Sequence, residues 1–147
     1  MRYWLFKSEP STWGWDHQVA KHGPQQWDGV RNYAARNFMR DMKIGDLGFF
    51  YHSVDEKRIV GVVRVAAEAH HDSSAGEDLR WDCVDVEAVE PLPNPVTLDQ
   101  IKARPDLGEM VLVNNSRLSV QPVTETEWRT ICEMAGLAAN SPSLVRK

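Results

Sequence analysis

Near its start the chain carries Tyr3-Trp4-Leu5-Phe6, four large apolar residues with no polar position between them. A half-exposed strand would alternate, so an unbroken aromatic run reads as a strand buried in a core. It stops at Lys7-Ser8-Glu9-Pro10, where proline removes a ladder donor, and a strand end carrying Lys and Ser suits the rim of a pocket. Ser11 or Thr12 then caps a short helix bearing Trp13, Trp15 and Val19, which gives out at His22-Gly23-Pro24. Residues 25–29 read as loop.

Val30, Ala34, Phe38 and Met42 recur every four positions and predict an amphipathic helix over 30–42, closed by Gly45-Asp46. Residues 46–53 and 58–65, the second rich in β-branched side chains, read as a hairpin joined by a turn at 54–57. A polar, glycine-containing loop is expected at 70–78, then a third long strand over 80–89, ended by Pro91-Leu92-Pro93-Asn94-Pro95. Thr97-Leu98-Asp99-Gln100 and Thr124-Glu125-Thr126-Glu127 both have capping-box spacing and start helices stopped by Pro105 and Gly136. Residues 118–123 alternate as a short edge strand, and 138–147 read as a disordered tail. About five strands with four short helices in mixed order predict one α+β domain, a small curved sheet or open barrel with helices around it.

The 147 residues, 42% hydrophobic, suffice for one core without staples. Net charge is −4, so no global basic field draws the chain onto nucleic acid as a general coating protein. The charge is uneven: residues 1–64 hold ten Lys/Arg against seven Asp/Glu, and residues 65–147 hold seven against fourteen. Arg31, Arg36, Arg40 and Lys43 recur at helical spacing with only Asp41 among them, which reads either as a face for phosphates or as a solvated helix surface. Cys83 and Cys132 lie far apart in apolar patterns, with no CxxC pair, and point to a reduced compartment. The first apolar run is too short for a signal peptide, and no stretch approaches the roughly 18 apolar residues of a membrane span. A cytoplasmic protein is therefore expected, or a nuclear one in a eukaryotic source. Asn114-Asn115-Ser116 fits the glycosylation pattern only by chance in such a setting.

Common catalytic signatures are missing: there is no GxSxG, no Gly-rich phosphate loop, no HExxH, and no His-x-Glu with CxxC. His70-His71-Asp72 is the one cluster that invites a metal, but adjacent histidines point apart and no other histidine has matching spacing. Ser53 beside His52, or Ser119 with a distant histidine, invites a nucleophile reading, yet neighbours along a strand face opposite sides. Four of the six tryptophans, Trp4, Trp13, Trp15 and Trp27, fall in the first 27 residues near Lys7 and Ser8. Tryptophans of this kind form a core, and they also form the flat surfaces on which a protein stacks a flipped base.

Several blocks together resemble a known family. They are Tyr3-Trp4-Leu5-Phe6-Lys7-Ser8-Glu9-Pro10, the run from Trp27-Asp28-Gly29-Val30-Arg31-Asn32-Tyr33 to Asn37-Phe38, Gly45-Asp46 with Phe49-Phe50-Tyr51-His52-Ser53, and Arg117-Leu118-Ser119-Val120-Gln121-Pro122-Val123. In this order they are similar to the EVE domain, and they span residues 1–137. The resemblance implies a PUA-like curved β-barrel of about five to six strands flanked by short helices, related to YTH and SRA readers of modified bases. It further implies a non-enzymatic reader that takes a modified base, a 5-substituted cytosine, from DNA or alternatively RNA, with no cofactor and no metal.

Carried over by motif, Lys7 and Ser8 sit at the pocket mouth, and Val30, Asn32 and Asn37 form a wall. Tyr51, His52 and Ser53 form the floor, and Arg117, Leu118 and Ser119 close the opposite side. Arg31, Arg36 and Arg40 are then expected to hold phosphates. YTH readers place cage tryptophans after the strand matching 58–65, where this chain has His70-His71-Asp72-Ser73-Ser74-Ala75-Gly76. That departure favours a modified pyrimidine over a methylated adenine. The rival readings are an enzyme acting on RNA, a nucleotide or a small metabolite in the same cavity, with Lys7 or His52 in acid–base work, and a protein-interaction scaffold.

Overall fold

A computed structural model describes residues 1–145. Strand β1 (Tyr3–Ser8) leads into helices α1 (Pro10–Trp13) and α2 (Trp15–Ala20), a two-residue strand β2 (Gln25–Gln26) and helix α3 (Tyr33–Asp41). Strands β3 (Leu47–His52), β4 (Arg58–His71) and β5 (Asp82–Thr97) follow, then α4 (Leu98–Lys102), α5 (Val111–Asn114), β6 (Val120–Val123) and α6 (Glu125–Met134). The six strands form one mixed sheet in the order β2-β5-β4-β3-β1-β6. β1 runs parallel to β3, and the other pairs are antiparallel. The α+β class and strand number agree with the sequence reading; the sheet stays open, with β2 and β6 as its edges. No helix among the described residues is long and apolar enough to cross a membrane.

The unbroken apolar runs make sense because both sheet faces are covered. Tyr3, Leu5, Leu47, Phe49 and Tyr51 face one core with Ile101, Leu107 and Trp128, while Trp4, Phe6 and Phe50 face a second core with Trp15, Trp27, Ala35 and Met39. Trp128 lies flat against Phe49 and Tyr3, with ring centroids 3.9 and 4.6 Å away. Gly61 is required where the Trp15 ring presses on β4, since a Cβ there would come within 2.5 Å of the indole. The buried Asp46 carboxylate satisfies its own burial by accepting from the Arg2 and Lys43 amides and from Trp4 Nε1, at 3.2, 3.0 and 3.0 Å.

Several boundaries differ from the sequence reading. β5 does not end at the proline run: Ile59 pairs with Val96 and Gly61 with Pro91, so residues 92–95 bulge opposite Val60 alone, with Leu92 buried in the first core. A bulge needs no ladder donor from proline, and the Asn94 amide donates instead to the Ala135 carbonyl at 3.0 Å. α3 starts at Tyr33 because the Asn32 side chain accepts from the Ala35 amide (2.9 Å), so its buried stripe is Ala35 and Met39, continued by Met42, while Ala34 is exposed. β4 continues to His71, so the loop expected at 70–78 begins instead at Asp72, which caps a 3₁₀ turn at Ser73–Ala75, and runs on to Trp81 before β5 starts at Asp82.

Of the expected disordered tail, residues 138–145 fold back on the first core, and residues 146–147 lie outside the described residues. Ser143 is 1% exposed, its amide donates to Glu90 at 3.0 Å, and its carbonyl accepts from Trp128 Nε1 at 2.9 Å. Burial of these polar groups is sustained by partners far away in sequence.

Candidate functional site

An open cavity of about 590 Å³ lies between the end of β1, helix α1 and the segment running from β2 to residue 31. That volume is in the range of small-molecule sites. Its flat apolar surfaces are Trp13 and Trp27, joined by Val30, and its polar groups include Lys7, Ser8, Gln25, Gln26, Asp28 and Ser119.

Both indoles are held firmly. Trp27 is 6% exposed, donates its amide to the Val84 carbonyl at 2.9 Å, and packs edge-on against Phe6 and Phe50 with centroids 5.2 and 5.5 Å away. The Trp13 carbonyl accepts from Ser8 Oγ at 2.6 Å, and its Nε1 donates to Gln18 Oε1 at 3.0 Å. Gln18 in turn is buried and donates to the Val86 carbonyl, so the wall is tied to β5. Such locked side chains reduce the ordering cost of binding.

The edge groups are mixed donors and acceptors. The Lys7 amide donates to the Ser119 carbonyl at 2.8 Å, which seals β1 against the segment before β6. Lys7 Nζ donates to the Ser116 carbonyl, and burial pushes the ammonium pKa below its usual value. Gln26 Oε1 accepts from the Ser73 amide and hydroxyl at 3.3 and 3.1 Å.

The loop after Trp27 is fastened by one carboxylate. Asp72, 1% exposed, accepts from the Gly29 amide (2.9 Å), Arg31 Nη1 (3.0 Å), and the Ser74 amide and hydroxyl (2.8 and 2.7 Å). Burial drives its pKa up, but hydrogen bonds from Ser74, Gly29 and Arg31 outweigh that and hold the carboxyl below the usual carboxylate range. Gly29 takes φ +80°, a left-handed turn that suits glycine.

Of the residues the sequence assigned to a pocket, Lys7, Ser8, Val30 and Ser119 line this cavity. The others lie elsewhere. Tyr51 faces the opposite core, where burial and the nearby Asp99 charge push its phenol up to about 12. His52 is buried between α2 and a turn: Nε2 accepts from the Trp15 amide at 3.0 Å, and Nδ1 lies 3.3 Å from Glu56. Ser53 is tied to the Ser8 carbonyl through its amide. Asn32 caps α3, Asn37 is exposed and accepts from Arg36, and Leu118 is buried in the second core beside an exposed Arg117.

The three candidate phosphate ligands also have protein partners. Arg31 stands on the cavity rim paired to Asp72, and Arg40 is paired to Asp82 at 2.8 Å. Arg36 donates to the Arg80 carbonyl (3.0 Å) and to Asn37 Oδ1 (2.8 Å). His70 and His71 turn to different partners, Asp85 and the Gly76 carbonyl. The sequence reading missed Gln25, Gln26 and Asp28, which it placed in a loop; their signal was adjacency to Trp27. It named Asp72 only beside two histidines in a polar loop and missed its bonds to Gly29 and Arg31.

Residues 2–134 match the EVE domain family model. Human thymocyte nuclear protein 1 is 37% identical in sequence over 86% of this chain and 70% of its own length. A crystal structure of human THYN1 in complex with 5-methylcytosine-containing DNA superposes with a TM-score of 0.83 at 31% identity, covering 94% of this chain and 99% of that one. A crystal structure from Agrobacterium tumefaciens superposes with a TM-score of 0.94 at 56% identity over 97% of both chains. A YTH domain from Zygosaccharomyces rouxii superposes with a TM-score of 0.54 at 16% identity over 91% of this chain and 86% of its own, a likeness of fold alone. With the family model running from β1 to the end of α6, this chain belongs to the EVE domain family.

Proposed function

We propose that this chain is a non-enzymatic reader that accepts one modified nucleobase, a 5-substituted cytosine in DNA, in the cavity between Trp13 and Trp27. The observation that carries this reading is the pairing of two clamped indoles with a polar edge of Lys7, Ser8, Gln25, Gln26, Asp28 and Ser119. A flipped base needs flat surfaces for its faces and donors and acceptors for its edge. The DNA-bound human relative supports the choice of ligand. Arg36, which donates only to neutral oxygens, serves the flanking phosphate, and Arg31 and Arg40, already neutralised by Asp72 and Asp82, contribute less.

A melting screen tests the proposal. A ligand present at 100 times its Kd stabilises the folded state by about 2.7 kcal/mol, which for a chain of this size raises Tm by about 5–10 °C. A rise selective for 5-methyl-2′-deoxycytidine over deoxycytidine supports the reading; equal midpoints for all nucleosides overturn it.

One observation favours acid–base chemistry instead, the half-buried Lys7 ammonium at the rim with its lowered pKa. His52, enclosed by Trp15 and Glu56, has no access to that cavity. Mass spectrometry after incubation with modified and plain oligonucleotides and nucleotides separates the two: a reader yields no product.

A further inference from the structure

Beside the cavity, and outside its lining, Tyr33 stacks on Trp81 with ring centroids 5.0 Å apart and planes inclined by 23°. Three guanidinium groups gather on this pair: Arg36 lies over Tyr33 at 4.8 Å, and Arg31 and Arg80 lie over Trp81 at 5.5 and 5.7 Å. Trp81 is 7% exposed and Tyr33 51%, so the stack is rooted in the protein at one end and reaches solvent at the other. Arg80 Nη1 donates to the Tyr33 hydroxyl at 3.2 Å, which fixes the exposed ring.

The charges are not equivalent. Arg80 is paired with Asp78 and Arg31 with Asp72. Arg36 meets no carboxylate among the described residues and donates only to neutral oxygens. With Trp81 on one face of Tyr33 and Arg36 over the ring, the exposed end of the stack presents a guanidinium plane backed by an aromatic ring and paired with no carboxylate among the described residues.

Position gives this surface its meaning. Arg31 both lines the cavity and lies over Trp81. Val30, in the cavity, and Tyr33, on the stack, are three residues apart, at most about 10 Å of chain. A strand with one base in the cavity has this rim to cross.

We infer that the Tyr33–Arg36 face is a second nucleotide station. The neighbour of the nucleotide in the cavity stacks its base on the Arg36 guanidinium that Tyr33 supports, and its phosphate accepts from that group's remaining N–H donors. Stacking of this kind tolerates any base, because every base has a π-face. The inference rests on the cavity reading above and adds where the polymer continues.

Two probes separate the station from the cavity: free 5-methyl-2′-deoxycytidine, whose single base cannot span cavity and station together, and a single-stranded deoxytrinucleotide with central 5-methylcytosine. Titration of Tyr33→Ala should show trinucleotide binding weakened about tenfold, with nucleoside affinity unchanged and Tyr33→Phe retaining wild-type binding to both. Arg36→Gln should weaken the trinucleotide alone and flatten the dependence of log affinity on log salt by about 0.7. Trinucleotide affinity untouched by both substitutions overturns the station, as does an equal loss for both probes. Wild type that binds plain and modified trinucleotides alike, while losing both on Tyr33→Ala, sinks the cavity reading and leaves the station standing. Wild type that binds no trinucleotide overturns both.

Discussion

Asp72→Asn is the most informative single perturbation of this molecule, because one buried carboxylate holds the wall of the cavity in place. Asparagine keeps one acceptor oxygen and turns the other into an amide donor. If the oxygen stays with Ser74, the new NH₂ faces the Gly29 amide and the Arg31 guanidinium, both of which are donors. A buried N–H left unpaired costs about 1–3 kcal/mol, and bonds to a charged group contribute about 1.5–3 kcal/mol each. Discounting the partly exposed Arg31 for solvent screening, the loss comes to about 2–4 kcal/mol. With a urea slope of about 1–3 kcal/mol/M, the unfolding midpoint should fall by about 1–2 M.

The pH dependence follows from the sign of the shift. The folded carboxyl titrates below its unfolded value, so its contribution is present above the unfolded pKa of about 3.9 and is lost as pH falls through the lower, folded value. The gap between wild type and Asp72→Asn should therefore be full at neutral pH and close on acidification. A midpoint shift below about 0.3 M, or a gap that widens in acid, refutes this account of Asp72.

Trp13→Ala removes one stacking surface and should weaken nucleoside binding about 5- to 150-fold, read by competition titration; a change under twofold removes Trp13 from the site. Burial pushes the thiols of Cys83 and Cys132 up to about 12, so both should resist iodoacetamide in the native protein at about pH 8 and react after unfolding, by mass spectrometry. Gly61→Ala drives a methyl into the Trp15 ring and should destabilise by about 1–3 kcal/mol, seen as a melt lowered by about 3–10 °C; an unchanged melt shows that Trp15 can yield.

What the sequence made legible was local. Tyr3 to Phe6 had to be a buried strand, and Thr124 with Glu127 formed the capping box that starts α6. The parts that stayed hidden depend on distant partners. The proline run became a bulge because Asn94 found the Ala135 carbonyl, and Ser143 was ordered by Glu90 and Trp128, neither of which is near it in sequence. In the site, the β1 end, Val30 and Ser119 could be placed by motif. Gln25 and Gln26 could not, since β2 is two residues long and exists only by pairing with β5. Tyr51 does not line the cavity: Phe50 meets Trp27, a contact the sequence does not display, so its neighbour faces the other core.

Apart from Ser119, all of the cavity lining lies between residues 7 and 31, within the end of β1 and the connection that follows it. The large sheet strands β3 to β5 contribute no side chain to the lining and act as a chassis beneath it. Ligand preference can therefore drift through changes in one contiguous stretch of about 25 residues, with the first core left intact. Exchanging that stretch between relatives is the economical way to graft one chemical taste onto another's frame.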